Sequence, residues 1–185
     1  GIIPRAVLSL FLLCLAAGIL WALWLPGEGM IPSYYAWMAV ASGLIFACRL
    51  GLGWEPWTAG AAIGALAYRM RGTKSVLALA SLLAAGALYQ ALPSTDAMSL
   101  ATAGLSAMVL GVVLDAMVLG HWYLVQHGLS FRPLERMSAA VMIVVGARLL
   151  LAGVWVGDTG SWDKLVGNEH LVFFLMRSVL GFAGP

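Results

Sequence analysis

Long apolar segments occupy almost the whole of this chain, and ionisable side chains stand inside several of them. A helix needs about 20 mostly apolar residues to cross a hydrocarbon core of about 30 Å. Segments of this kind leave no room for a soluble domain within 185 residues. Hydrophobic residues make up 62% of the sequence and charged residues 10%, and the mean hydropathy is +0.95. The chain is therefore expected to be an integral membrane protein.

The backbone of such segments must satisfy its hydrogen bonds internally in lipid, and the alternating pattern of a membrane barrel is absent. The sequence therefore predicts an all-α fold, a polytopic transmembrane helical bundle that forms a single domain over residues 1–185. About six spanning helices are expected. They are predicted at residues 7–25, 34–49, 75–92, 99–125, 137–156 and 171–183. A further apolar segment, residues 57–68, is short and is expected either to cross or to re-enter.

Charge placement favours one arrangement of the segment at residues 57–68. If this segment enters the membrane without crossing, almost all loop bases, including Arg49 and Arg132, fall on the same side as the N-terminus. Because cytoplasmic loops collect Lys and Arg, a cytoplasmic N-terminus is expected. Gly60 and Gly64 form a small-xxx-small pair, which would let the segment pack closely on a neighbouring helix.

Asp115 and Arg148 stand inside two consecutive predicted spans. Both lie about 15 Å from the same end of the bundle at 1.5 Å per residue. Because a lone charge at the bilayer centre costs at least roughly 2.5–3.5 kcal/mol, the sequence predicts an intramembrane ion pair between them. Its role is left open between a buried staple that fixes helix register, a functional pair that relays protons or holds an anionic head group, and a contact with a partner subunit.

His121, Trp122 and Tyr123 lie near the cytoplasmic end of their predicted span, and Arg132 lies in the loop that follows. The group is either an aromatic anchor at the membrane interface or a contact site for a quinone or a lipid head group. Haem is disfavoured, because no second histidine is placed to supply the other axial ligand. Arg177 is a further intramembrane cation, expected to snorkel, to meet a lipid phosphate, or to bind an acid on another chain.

Several chemistries are disfavoured by the motifs that the sequence lacks. It has no CxxC, HExxH or P-loop motif, and the spacing of its Ser, His and Asp residues does not indicate a catalytic triad. No metal site is expected, and the chain is not expected to be catalytic on its own. Its net charge of +2 is modest and its basic residues are explained by membrane topology, so nucleic-acid binding has no support.

One stretch of the sequence resembles a known group of proteins. The GHWYL motif from Gly120 to Leu124, followed by Pro133, Leu134 and Arg136, is similar to a stretch of poorly characterised polytopic bacterial membrane proteins. In those proteins a motif of this type ends one helix and a PL-R sequence opens the next. The resemblance implies a protein of the bacterial cytoplasmic membrane, and it implies no reaction.

Two functions follow as hypotheses. The leading one is an integral membrane subunit of a larger energy-converting complex, of the respiratory or photosynthetic electron-transfer kind. Such a subunit would pack against partner helices and membrane lipids and border a quinone or lipid site. The alternative is a small proton-coupled transporter that uses Asp115 and Arg148 at the membrane midplane.

Overall fold

The computed structural model describes residues 5–26, 32–51, 55–125 and 130–159, and 89% of these residues are helical, with no strand among them. The helices are α1 (Arg5–Ala22), α2 (Pro32–Leu50), α3 (Pro56–Arg71), α4 (Lys74–Ala91), α5 (Ala97–Val125) and α6 (Arg132–Thr159). Four of them, α1, α4, α5 and α6, contain segments long and apolar enough to cross a membrane. The prediction of an all-α chain with several apolar helices is confirmed for the described residues, whereas the predicted count of about six spanning helices is not.

The predicted segments fall on these helices with shifts of a few residues at their ends. The short segment at residues 57–68 belongs to α3, and the segment at residues 137–156 belongs to α6, which begins earlier, at Arg132. The predicted segment at residues 171–183, with Arg177, lies outside the described residues.

The chain divides into two compact units, residues 1–148 and residues 149–185. The first unit holds α1 to α5 and the first part of α6. Of the second unit, the structure describes residues 149–159, which continue α6. The packing and the sites described below belong to the first unit.

Helix α1 lies at the centre of the first unit, because it packs on α2, α4 and α5. In its apolar segment 44% of the residues are buried, compared with 11% in the corresponding segment of α6. Polar side chains also anchor α1 to its neighbours. The buried Ser42 hydroxyl of α2 donates to the carbonyl oxygen of Ala16 at 2.9 Å, and the indole of Trp21 donates to the carbonyl oxygen of Ser81 in α4 at 3.3 Å.

Helices α1 and α5 cross in backbone contact at small residues. A Cβ atom added to Gly18 would overlap the carbonyl oxygen of Ala107 and would stand 2.8 Å from the amide nitrogen of Gly111. A Cβ atom added to Gly111 would overlap the carbonyl group of Gly18. Ala107 and Gly111 are one turn apart on the same face of α5, the spacing at which small residues allow helices to approach closely.

Helices α3 and α4 form an antiparallel hairpin with a two-residue connection. Gly72 ends α3 in the left-handed conformation, with φ of 63°, and its N–H donates to the carbonyl oxygen of Tyr68 at 2.7 Å. A Cβ atom on Gly64 would stand 2.9 Å from that of Ala80. At the other end of the hairpin, Gly86 receives the ring of Trp57. Helix α3 therefore accompanies α4 along most of its length.

A buried ion pair holds the junction between α2 and α3. Arg49, in the last turn of α2, contacts the Glu55 carboxylate at 2.6 Å, and their side chains are 7% and 17% exposed. The hydroxyl of Thr58 donates to the other oxygen of Glu55 at 3.1 Å. Because Pro56 starts α3 directly after Glu55, the pair fixes the point at which the chain reverses.

Candidate functional site

Asp115 is the most unusual buried group in the described part of the chain. Its relative exposure is 0%, and neither of its carboxylate oxygens has a hydrogen-bond partner among the described residues. The hydroxyl of Tyr34 in α2 donates to the backbone carbonyl oxygen of Asp115 at 3.2 Å and does not reach its carboxylate. A charge taken from water into a protein interior without a partner costs several kcal/mol. With no partner among the described residues, a carboxyl group at this position is expected to be stable only with a proton or a bound cation.

The local sequence explains why the carboxylate is buried. Ala107, Gly111 and Asp115 are spaced four residues apart, so they share one stripe of α5. The first two residues bring the backbone of α1 into contact with this stripe. Asp115 is one turn further on and lies on the same covered face, with Leu119 buried in the next turn.

The predicted ion pair between Asp115 and Arg148 is not formed in this structure. Arg148 is half-buried in α6, and no ion pair joins it to Asp115. Asp115 lies about 15 Å from the end of α5, but Arg148 lies about 24 Å from the start of α6, because α6 begins at Arg132. The distances from the helix ends therefore differ, and side chains meet only where the two helices also face each other. The closely packed helix pairs are α1–α5, α2–α3, α3–α4, α1–α2 and α1–α4, and none of them includes α6.

A pocket of about 290 Å³ lies next to Asp115 between α2 and α5. We call this space the aromatic pocket. It is lined by Tyr34, Trp37, Met38, Val118 and Trp122. The three residues of α2 share one face by their spacing, and those of α5 follow Asp115 by three and seven residues on its own face. The rings of Tyr34 and Trp122 are 5.9 Å apart, with their planes at 57°.

Tyr34 connects the carboxylate and the pocket. Its ring lines the aromatic pocket, while its hydroxyl reaches the backbone of Asp115. Tyr34 itself is 1% exposed, whereas Trp37 at the mouth of the pocket is 67% exposed. The walls of the pocket therefore include an exposed ring, that of Trp37, and a buried ring, that of Tyr34, which also contacts the backbone of Asp115.

The other predicted contact residues do not converge on this pocket. His121 is exposed. The hydroxyl of Tyr123 donates to the carbonyl oxygen of Ser130, and its ring stacks on Phe131 at 5.7 Å. Arg132 is exposed at the start of α6. Consecutive helical residues point about 100° apart, so of the GHWYL motif Trp122 alone lines the aromatic pocket.

Sequence reasoning singled out Asp115 and Trp122 and missed the residues that α2 contributes. The signal was present, because Tyr34, Trp37 and Met38 follow one another at i, i+3 and i+4. Such a stripe at the start of an apolar helix has the same pattern as an interfacial aromatic belt. Within the described ranges, no group of His, Cys, Asp and Glu side chains is placed to hold a metal ion.

Comparison with known proteins adds no relative. No protein-family model, curated protein or solved structure matches the chain.

Proposed function

We propose that the chain is a small multi-pass membrane transporter in which Asp115 binds the coupling cation. The observation that carries the proposal is the fully buried carboxylate without a partner among the described residues. Asp115 precedes the end of α5 at Val125 by about 15 Å, which is half the thickness of a hydrocarbon core of about 30 Å. Ionisable residues at this depth commonly mark pathways for ions and protons.

A purely structural role for Asp115 has less support. A staple between helices needs a second charged or polar group, and the carboxylate oxygens contact none among the described residues. A carboxylate retained for packing alone would cost stability that an apolar side chain of similar size would not. Cation binding gives the residue a role that its surroundings otherwise lack.

The hairpin of α3 and α4 supports a membrane orientation different from the one expected from the sequence. If α3 crosses beside α4, the end of α3 with Arg69, the start of α4 with Lys74 and the start of α6 lie at one end of the bundle. The guanidinium of Arg136 reaches the carbonyl oxygen of Pro26 at 3.5 Å, so the end of α1 lies there too. We propose that this basic end faces the cytoplasm of a bacterium and that the N-terminus lies on the opposite side.

The role of Asp115 is tested by reconstituting the full chain in liposomes and recording the charge displaced by an acid jump on a solid-supported membrane. We expect a transient current in the wild type that Asp115→Asn abolishes, because the amide cannot take up the proton. Asp96→Asn is the matched control, since Asp96 is a fully exposed acid at the start of the same helix. Equal currents from the wild type and Asp115→Asn would overturn the proposal.

A second function, a membrane subunit of an electron-transfer complex, is supported by α6. Its apolar segment is 11% buried, and Met142 and Ile143 are about as exposed as side chains on an isolated helix, at 73% and 70%. The described residues leave this surface open, which suits contact with lipid or with the helices of a partner protein. Gentle extraction followed by mass spectrometry and an absorbance spectrum tests this candidate. Redox subunits that travel with the chain would support it, and a colourless particle that contains this chain alone would contradict it.

A further inference from the structure

We propose that the aromatic pocket binds a dissolved organic cation of the quaternary-ammonium class and that Asp115 is its counter-charge. The inference deepens the proposed function, since it names the substrate class of the same site and rests on Asp115 acting there. Three observations carry it: the aromatic walls, the nearby carboxyl group without a partner among the described residues, and the shortage of hydrogen-bond acceptors in the walls.

The walls of the pocket suit a cation. Tyr34, Trp37 and Trp122 come from two helices and surround one space. The face of an aromatic ring carries negative partial charge and attracts a cation within about 6 Å, most strongly for Trp. Cages of this composition are the usual means by which proteins recognise quaternary ammonium groups.

The ionisable side chain near the pocket is an acid, which becomes a negative counter-charge when it is ionised. Val118 and Trp122 follow Asp115 by three and seven residues on the same face, so their backbone positions lie about 4.5 and 10.5 Å from that of Asp115 along the axis of α5. No Lys or Arg side chain lines the pocket among the described residues. An anion would therefore meet the carboxylate without compensation, and a neutral solute would gain nothing from it.

The polar groups of the walls narrow the class further. The indole N–H groups of the two tryptophans can only donate, and Met38 and Val118 offer no strong acceptor. The hydroxyl of Tyr34 donates to the backbone of Asp115, so its oxygen is the one good acceptor among the wall side chains. A primary ammonium group brings three donors that would each need an acceptor. A quaternary ammonium group brings none, so it can leave water for this pocket without unmade hydrogen bonds.

The test compares choline with 3,3-dimethylbutan-1-ol, its uncharged carbon isostere. The full chain is placed in nanodiscs of phosphatidylglycerol and phosphatidylethanolamine, which carry no quaternary ammonium group, and binding is measured by isothermal titration calorimetry. We expect saturable binding of choline and binding of the alcohol that is weaker by roughly 10- to 30-fold, the contribution of one charge at about 8–10 Å. Equal affinities would overturn the inference, as would the absence of saturable choline binding.

Variants assign the binding to the pocket. Asp115→Asn is expected to weaken choline binding by the same roughly 10- to 30-fold and to leave the alcohol unaffected. Trp37→Leu should weaken choline binding by about 5- to 30-fold, while Trp37→Phe, which keeps a ring, should lose less. Because Trp37 is 67% exposed, its replacement leaves the packing of α2 intact. Trp24→Leu is the control, since Trp24 is an exposed tryptophan of the same unit outside the pocket.

The two proposals fail separately. If Asp115→Asn abolishes the acid-jump current but choline and the alcohol bind alike, the carrier proposal stands and the substrate class is wrong. If the wild type binds choline more tightly than the alcohol, but neither the wild type nor Asp115→Asn displaces charge after the acid jump, the cation site stands and the carrier proposal is wrong. A Trp37→Leu protein that binds choline as tightly as the wild type would show that choline does not bind in the aromatic pocket.

Discussion

Replacing Gly18 with Ala adds one methyl group at the contact between α1 and α5. The added Cβ would stand 2.8 Å from the carbonyl carbon of Ala107, where ordinary van der Waals contact begins at 3.4 Å. The two backbones must therefore separate by at least the difference, 0.6 Å. No side-chain rotation can relieve the overlap, because the atoms that it meets belong to the backbone.

The expected cost follows from this geometry. Overpacking a close contact costs about 1–3 kcal/mol, and a gap of 0.5–1 Å forfeits about a quarter to a half of each dispersion contact along the crossing. Since α1 is also the central helix of its unit, we expect a loss of free energy of unfolding near the upper limit, about 3 kcal/mol. For a chain of this length that corresponds to a fall in Tm of roughly 6–12 °C.

A native cysteine can report this unfolding. Cys14 is 6% exposed and lies one turn before Gly18 in α1, whereas Cys48 is exposed. In a Cys48→Ser background, the reaction of Cys14 with a thiol-reactive coumarin during heating follows the release of α1 directly. Gly104→Ala in α5 is the matched control, because a Cβ atom there meets nothing within 4 Å.

The control should move in the opposite direction. Replacing glycine with alanine in a helix interior stabilises it by up to about 1 kcal/mol where space permits. We expect Gly104→Ala to unfold at the same temperature as the Cys48→Ser background or slightly above it. If Gly18→Ala unfolded at the same temperature as Gly104→Ala, the backbone contact between α1 and α5 would be refuted.

Two further predictions concern charged groups at helix ends. Glu55→Ala removes the carboxylate that Arg49 contacts at 2.6 Å and should lower the free energy of unfolding by roughly 1–3 kcal/mol, less than for a fully buried pair. Thermal unfolding measures this loss, and Glu135→Ala, at an exposed position, is the control that should change it little. Hydrogen bonds from the hydroxyl of Ser94 and from the first turn of α5 lower the pKa of Asp96 to about 2. Since the ordinary pKa of an aspartate is about 3.9, the stabilisation is complete above that pH and is lost as the pH falls towards 2. The difference in Tm between the wild type and Asp96→Asn should therefore be constant from neutral pH to about 4 and vanish near 2; a difference that persists at pH 2 would refute this.

The apolar segments of the sequence predicted most of the helices, because hydropathy and turn residues act locally. Packing between helices was harder to predict. The sequence alone does not decide whether the segment at residues 57–68 crosses the membrane or re-enters, because the segment is short. What places it along α4 is the fit of Gly64 on Ala80 and of Trp57 on Gly86, together with the turn at Gly72. None of these contacts contributes to a hydropathy profile.

The candidate site divides in the same way. That Asp115 lies inside a span follows from its neighbours in the sequence. Whether Arg148 contacts its carboxylate depends on how α6 is rotated and placed, which the depth of Arg148 does not determine, and among the described residues nothing contacts it. The aromatic pocket joins Asp115 to Tyr34 across 81 positions of sequence. A contact of that kind has no local pattern and requires knowledge of which helices are neighbours.

The crossing of α1 and α5 and the carboxylate site depend on each other. Ala107 and Gly111 let the backbone of α1 come close enough to cover the stripe on which Asp115 lies. The same covering removes the water that would otherwise solvate the carboxylate and weaken its attraction for a cation. A chain that needed only tight packing would place another small or apolar residue at this position. Asp115 lies one turn beyond this contact, and the proposed binding of a cation or proton would account for a carboxyl group at this position.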